Sequence, residues 1–373
     1  MKHLPKVIDL FAGAGGLSLG AARANFHVCA AVETDNFALD THKLNFPASE
    51  HVDADIATLN ADLLLQKLKL KSGELFGIIG GPPCQGFSTI GKREIDDPRN
   101  TLFMHFFRLV KELRPAFFLA ENVTGILHPK YDEIRNNIFE NLPSCYEVIK
   151  PLRIKASDYG APTTRTRIFF IGYDPKRFTL SLHAEHFEPE TNCSTSVQKA
   201  LKGLPLEIPV NSATKDLGWQ NLTSFSRASD FFYNKMSGSI PEGVGNNEYI
   251  NRYTSGQVSG CFGTKHSAEV KARYAALAYG EQDKVSKSIK LDPYGLCPTL
   301  RAGTGPEKGS FQAVRPIHYD IPRVITPREA ARLQGFPDWF VFQPTIWHSF
   351  RQIGNSVSPI VAEEILGAIY KAI

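Results

Sequence analysis

No apolar run in this 373-residue chain approaches the roughly 20 residues that a membrane span needs, so a spanning segment is excluded. Cysteine is scarce. The six (Cys29, Cys84, Cys145, Cys193, Cys261 and Cys297) are scattered and form no Cys-x-x-Cys pair. Neither a disulfide framework nor a zinc site is expected, no other metal is called for, and the pattern fits a reducing cytosol. There is no internal repeat and no long low-complexity tract. Neither sign of charge dominates: 42 Lys and Arg against 38 Asp and Glu leave a net charge of +4, which permits a polyanionic partner without requiring one. The N-terminus, Met-Lys-His-Leu-Pro-Lys, enters a strand at once and leaves no room for a signal peptide, so a cytoplasmic protein is expected. What is present is the composition of a globular protein, 42% hydrophobic and 21% charged, long enough for one large domain and a smaller one.

The stretch that organises the chain is residues 76–90. An apolar strand ends in Gly80-Gly81-Pro82-Pro83 and then Cys84. The prolines stiffen the turn and the glycines leave space beside it. That suits a thiol that must attack a bound substrate, though a buried structural cysteine is the commoner fate of a lone Cys. A second glycine-rich turn follows the short strand Val7 to Phe11. Gly13, Gly15 and Gly16 let the backbone approach a ligand at a helix start. Ser18 stands where a dinucleotide fingerprint would have its third glycine, which favours a nucleoside-type cofactor over a dinucleotide. The strand Val28 to Val32 ends in Glu33, twenty residues beyond Gly13 and placed to accept from a ribose diol. Asp55 suits either an adenine amine or a helix cap. The strand Ala116 to Ala120 runs into Glu121, a candidate acid or a plain surface charge.

Strands alternate with helices at Phe37 to Asn45 and about Thr101 to Leu113, which reads as a parallel doubly wound sheet. Gly13, Glu33, Asp55, Cys84 and Glu121 all fall at the carboxyl ends of its strands, where such sheets bind ligands. The charged loop Gly91 to Asn100 has little to bury and is placed to be a lid beside Cys84. Arg165 and Arg167 alternate at a strand start and so face the same way, fit either to grip an anion or to form a solvated pair. From residue 174 to 323 aliphatic runs thin out and Ser, Thr, Asn, Gly and Tyr rise. Only Ser267 to Tyr279 has helical periodicity there. The expected division is therefore a first domain of residues 1–173 and 324–373, with 174–323 as an inserted, loop-rich second domain. Near the end Thr326, Pro327 and Glu329 spell a capped helix start, and an apolar helix follows Pro359.

Asp9 to Gly20, Gly80 to Ser88, Glu121 to Val123, Arg165-x-Arg167, Thr326 to Pro337 and Gly354 to Pro359, in that order, resemble the C5-cytosine DNA methyltransferases. The stretch Lys92-Arg93 to Arg99-Asn100 looks like the bacterial restriction–modification members. Thr163 departs from the pattern, which usually has Gln there. The resemblance implies a Rossmann-like domain that uses S-adenosyl-L-methionine, interrupted by a target-recognition domain. It places Phe11, Gly13, Gly15, Gly16, Glu33, Asp55, Ile56, Leu102 and Asn355 at the cofactor. It places Ser88, Lys92, Arg93, Arg99, Thr299 and Arg301 at DNA.

It also implies Cys84 as the nucleophile that adds to cytosine C6, with Arg165 the nearest cation to stabilise the thiolate and Arg167 beside it. Glu121 would hold the N3 and N4 edge of the ring. The base would be flipped from double-stranded DNA. Arg252, Lys265, Arg273 and Arg301 are candidates for base contacts in the middle domain, each read more readily as a phosphate contact or a solvated side chain. The implied partners are duplex DNA and, functionally, a cognate restriction endonuclease, with the enzyme a monomer that acts at the bacterial nucleoid. The rival readings are an RNA-directed enzyme of the same fold, a non-catalytic regulator, and a Rossmann oxidoreductase.

Overall fold

The apolar runs expected as strands pair into one sheet in the computed structural model, which describes residues 4–83, 100–189, 194–210, 217–223, 230–303, 314–343 and 345–373. In chain order the first half comprises β1 (Lys6–Leu10), α1 (Gly16–Arg23), β2 (His27–Glu33), α2 (Asn36–Asn45), β3 (Glu50–Asp53), α3 (Ala61–Leu68), β4 (Gly77–Gly80), α4 (Asn100–Leu113), β5 (Phe117–Asn122) and α5 (Asp132–Glu140). Then come β6 (Glu147–Val148), β7 (Leu152–Lys155) and β8 (Thr166–Tyr173). The eight strands lie in the order β3-β2-β1-β4-β5-β8-β6, with β7 also paired to β8.

Each strand divides its side chains between two faces, so the sheet has a core on both sides. Val7, Ile79, Phe117 and Leu119 belong to one apolar cluster, and Ile8, Ile78, Phe118 and Ala120 to the other. Strands buried on both faces carry continuous apolar sequence, which is why they were legible.

The strands from which the alternation was read, through β5, are parallel as expected, but the sheet as a whole is mixed. β3, β2, β1, β4 and β5 are parallel, but β8 runs antiparallel to β5, β6 and β7. This reversal has a consequence for function. It sets Ile168 opposite Asn122 and Phe169 opposite Glu121, so the start of β8 meets the end of β5. A parallel β8 would send Arg165 and Arg167 to the far edge.

The second half holds short elements: α6 (Val197–Leu201), β9 (Gln220–Asn221), α7 (Phe231–Ser237), α8 (Asn247–Thr254), β10 (Gln257–Val258) and α9 (Ala268–Ala276). The helix expected within Ser267 to Tyr279 is α9, capped by Ser267. α7 and α8 are helices not marked within the loop-rich stretch. They are only 7 and 8 residues long, and each is started by a side-chain cap, Asp230 and Asn246. Such short segments show less than three turns of periodicity, so their caps are the readable signal.

The chain returns to the sheet with α10 (Pro327–Gln334), α11 (Ile346–Asn355) and α12 (Pro359–Lys371). The capping box of α10 forms as expected, Thr326 accepting from the Glu329 amide and Glu329 accepting from the Thr326 amide. α12 lies against α1 so tightly that a Cβ on Gly20 would stand 2.3 Å from the Ala362 Cβ. Three buried arginines fasten the second half to this returning piece. Arg328 donates to the Ser259 carbonyl at 2.7 Å and the Phe340 carbonyl at 2.6 Å. Arg332 donates to the Ala200 and Lys202 carbonyls at 3.1 and 2.6 Å. Arg323 holds Glu329 with two bonds of 2.8 and 2.7 Å. Among the described residues no helix is long and apolar enough to cross a membrane.

Candidate active site

Strand β1 ends one residue before a backbone reversal. Phe11 has φ +63°, Gly13 +55° and Gly15 +102°, all in the left-handed region. The Gly15 amide closes the turn on the Ala12 carbonyl at 2.9 Å, and α1 begins at Gly16. Nothing lies within 4 Å of a Cβ built on Gly13, so that edge of the turn faces open space. The space is a cavity of about 600 Å³ at the carboxyl ends of the parallel strands. That is the size of a small-molecule site.

Residues at five strand ends, at the start of β8 and on α4 and α11 line it. Phe11, Gly13 and Gly16 come from the first turn, Glu33 and Asp35 follow β2, and Asp55 and Ile56 follow β3. Pro82 and Pro83 follow β4, Leu102 comes from α4, and Glu121 and Asn122 end β5. Arg165 and Arg167 begin β8, and Arg351, Gly354 and Asn355 belong to α11. Two other cavities, of about 380 and 530 Å³, lie beside α12 and contain none of the residues singled out in the sequence.

Of the cofactor candidates, only Gly15 does not line the cavity. Its missing side chain serves packing, since a Cβ there would stand 2.4 Å from the Phe46 ring. Gly16 has both reasons: it lines the cavity, and a Cβ would meet the Val357 carbonyl at 2.4 Å. Glu33 does more than face a ligand. One oxygen accepts from the Gly13 amide at 2.8 Å, the other from the Thr34 and Asp35 amides at 2.8 and 2.9 Å. A carboxylate has about four acceptor sites, so about one remains for a ligand. Asp55 uses Oδ1 to accept from the Ala57 amide at 2.9 Å. It stands two residues past the end of β3 rather than on it. The expected helix cap is not formed, since α3 is capped by Asn60; Asp55 holds a turn with one oxygen and keeps the other for a ligand.

Sequence reasoning passed over Asp9. It is fully buried in β1 and lines the cavity, accepting from the Ser18 hydroxyl at 2.6 Å, while its Oδ1 has no hydrogen-bond partner among the described residues. Burial pushes its carboxyl up to about 7, with Ser18 opposing and Glu33 adding to the rise. Ser18, in turn, lies 2.9 Å from His42 Nε2, and His42 Nδ1 lies 2.9 Å from His51 Nε2. The serine in place of a third glycine is thus occupied by a buried polar network. A lone Asp inside an apolar strand was the available signal, because an acid there needs a partner or a purpose.

At the other end of the cavity Glu121, 7% exposed, pairs with Arg167: Oε1 and Nε are 2.8 Å apart. The angle falls outside hydrogen-bond geometry, so Oε1 is an ion-pair partner with a lone pair still unused. Gly81 leaves this carboxylate its room, since a Cβ there would come within 3.2 Å of Oε2. Arg165, expected as the nearest cation to the thiolate, is engaged by backbone. It is 3% exposed and donates to the Gly354 carbonyl at 2.9 Å, the Asn355 carbonyl at 3.2 Å and the Leu300 carbonyl at 3.5 Å. Its charge is spent on backbone, and Arg167 is the arginine at the acid. Thr163, where the family pattern has Gln, is buried and offers its hydroxyl to the Arg165 amide at 3.4 Å.

Cys84, Ser88, Lys92, Arg93 and Arg99 lie outside the described residues, as does the proposed lid up to residue 99. Three other cysteines are unsuited to attack. Burial pushes the Cys29 thiol up to about 11 and those of Cys261 and Cys297 up to about 12. Thr299 and Arg301 do not line the cavity but flank Leu300, which Arg165 holds. Arg301 and Lys265 are exposed and make no hydrogen bond or ion pair among the described residues. Arg252 and Arg273 are not free cations as expected. Arg252 bonds Gln257 at 2.9 Å and stacks on Trp219, and Arg273 holds Asp283 at 3.0 Å. Among the described residues no group of three His, Cys, Asp or Glu could hold a metal ion.

A family model described as C-5 cytosine-specific DNA methylase matches residues 5–371. The chain is 38% identical to the Type II methyltransferase M.XorII of Xanthomonas oryzae pv. oryzae over 371 residues, 99% of this chain and 85% of that protein. It is 33% identical to the Type II methyltransferase M.DdeI of Desulfomicrobium norvegicum over 379 residues, 96% of this chain and 87% of that one. A crystal structure of a prophage-encoded E. coli protein assigned as a DNA modification methyltransferase superposes with a TM-score of 0.89 at 52% identity. It covers 98% of this chain and 99% of the other. The S. pombe Dnmt2 methyltransferase shares the fold at a TM-score of 0.61 and 18% identity, over 99% of each chain.

Proposed function

Because the chain belongs to the C-5 cytosine-specific DNA methylase family, we propose that the strand-end cavity is where it transfers a methyl group from S-adenosyl-L-methionine to C5 of a cytosine flipped from a specific duplex sequence. The residues present fit that cofactor. Phe11 and Ile56 give apolar walls. Asp55 has one oxygen to spare and Glu33 about one acceptor site. Asp9 offers an unpartnered buried oxygen, the acceptor a cationic group needs, and Asn355 closes the wall. When bound, the cofactor supplies an electrophilic methyl carbon on a sulfonium. In the chain's own chemistry, Cys84, whose covalent neighbour Pro83 lines the cavity, adds as thiolate to C6. Glu121 gives a proton to N3, so the ring takes up the electrons that addition supplies and C5 becomes enamine-like. After methylation the C5 proton passes to solvent, the C6–sulfur bond breaks with its electrons returning to the Cys84 thiolate, N3 gives its proton back to Glu121, and aromaticity returns.

Glu121 also reads the ring edge, where cytosine has an amine and thymine a carbonyl. Arg167, not Arg165, orients it. Residues 174–323 act as the target-recognition domain, with Thr299 and Arg301 at the backbone of DNA and sequence read in the major groove. Ser88, Lys92, Arg93 and Arg99 meet phosphates, so affinity falls steeply with salt. Relatives named as Type II methyltransferases support a protective role beside a cognate endonuclease. Action as a monomer on nucleoid DNA is part of the same proposal.

The observation that carries the reading is the convergence of Glu33, Asp55, Pro83 and Glu121 on one cavity. The test is a duplex with 5-fluorocytosine at the methylated site, incubated with cofactor. A fluorine at C5 cannot leave as a proton does, so the wild type is expected to stay bonded to the DNA through a denaturing gel. Cys84→Ser is expected to bind cofactor and form no adduct. Absence of a wild-type adduct, or an adduct with the serine variant, rejects the addition step.

A further inference from the structure

Arg165 gathers carbonyls from two stretches that are distant in sequence: Leu300 from one, Gly354 and Asn355 from the other. The stretches are also pressed together directly. A Cβ on Gly354 would lie 2.7 Å from the Ala302 amide nitrogen and 2.7 Å from the Arg301 carbonyl carbon. One stretch, Gly354-Asn355, is wall of the cofactor cavity. The other follows the bridge that pairs Cys297 with Thr163, two residues before Arg165, and leads into the exposed Arg301. The guanidinium is nearly inaccessible to solvent, and its Nε lacks a partner. Charge-assisted bonds in such a place are strong, and removing the donor would leave several buried carbonyls unpaired.

We propose that Arg165 is a positioning residue that couples the cofactor cavity to the DNA-facing stretch 299–301, so that cofactor and DNA each strengthen the other's binding through it. The physical basis is that one rigid fork fixes both stretches at once. Ordering either by its ligand fixes the other, and by linkage the effect is reciprocal. The inference rests on the assignment of the cavity to the cofactor and of residues 299–301 to DNA.

The test is by binding alone, so it does not depend on turnover. The Kd of S-adenosylhomocysteine is measured with and without a duplex carrying the methylated site, and the duplex Kd with and without S-adenosylhomocysteine. For the wild type the two ratios should agree, at about 5- to 100-fold tightening. Arg165→Lys keeps a charge but not the fork. Whatever it costs S-adenosylhomocysteine alone, its ratio with and without duplex should fall close to one. Should the lysine variant not fold, Gly354→Ala pushes the stretches apart with Arg165 intact and should lose the same ratio. A wild-type ratio of one, or a wild-type ratio retained by whichever of these variants folds, overturns the proposal. A wild type that couples both ligands but forms no 5-fluorocytosine adduct sinks the chemical reading instead and leaves the coupling standing.

Discussion

Arg167 Nε stands 2.8 Å from Glu121 Oε1, whereas the Arg165 guanidinium, among the described residues, hydrogen-bonds only backbone carbonyls. The antiparallel pairing of β8 with β5 creates this difference, because it brings the start of one strand to the end of the other. The two arginines of one Arg-x-Arg motif therefore do separate jobs.

If Glu121 delivers the proton and Arg167 only aims it, their losses should overlap. Glu121→Gln should lower the single-turnover rate about 100-fold. Arg167→Ala should cost a similar factor, and the double variant little more than either alone, as for residues acting as one unit. Additive losses in rapid-quench kinetics would separate the two residues.

The carboxyl of Asp9 gives the fold a pH dependence. Its ordinary value is 3.8, and burial raises it to about 7, so between these the folded state holds a proton that the unfolded state has released. Stability from this group is therefore full below pH 4 and declines as pH rises toward 7. Ser18 and Glu33 face it, and His42, held neutral by burial, stands behind Ser18. Asp9→Asn removes the group but little volume. Its melting temperature, compared with wild type, should gain from pH 4 to about pH 7 and then level off, and parallel curves would remove Asp9 as the source. The same variant should bind S-adenosylhomocysteine more weakly at pH 8, where the lost charge matters most.

Much of the site was readable because it follows from one rule, that ligands gather at the carboxyl ends of parallel strands. Asp55 and Glu121 were placed by strand ends, Glu33 by a strand end and its spacing from Gly13, and the Thr326–Glu329 box by its spacing. The direction of β8 was not readable, since an apolar run looks the same either way round, and so the division of labour between Arg165 and Arg167 was hidden. Phe231 to Ser237 and Asn247 to Thr254 were not marked as helices within the loop-rich stretch because helices of two turns show almost no period. Gly15 and Gly20 look like ligand and helix glycines, yet what each meets is a partner far along the fold or on another helix, Phe46 and Ala362.

That second contact gives a stability prediction with a decided sign. Alanine at an exposed helix position is favoured over glycine by about 1 kcal/mol. At Gly20 the added Cβ would stand 2.3 Å from the Ala362 Cβ and 2.6 Å from its carbonyl carbon. Backbone cannot swing aside as a side chain does, so α1 and α12 must separate. Gly20→Ala should destabilise by about 1–3 kcal/mol despite the propensity gain. Urea denaturation measures it, and a neutral or stabilising change would mean that the helices part at little cost.

Glu33 closes the sequence of consequences from carboxylate to loop to cofactor. Three backbone amides, those of Gly13, Thr34 and Asp35, donate to it, so it holds the glycine turn against the end of β2 as well as facing the cavity. An amide in its place keeps one oxygen and turns the other into a donor, which faces an N–H that also donates. Glu33→Gln must therefore release either the Gly13 amide or the Thr34 and Asp35 pair. Leaving such a group unpaired costs about 1–3 kcal/mol, shared between the turn and the ligand. The variant should bind S-adenosylhomocysteine about 10-fold more weakly, at roughly 1.4 kcal/mol per factor of ten. Glu33→Asp, whose shorter arm cannot span both ends of the turn, should be no better. Calorimetric titration of the two variants checks this, and an aspartate variant that restores wild-type affinity would show that only the charge matters, not the reach to Gly13.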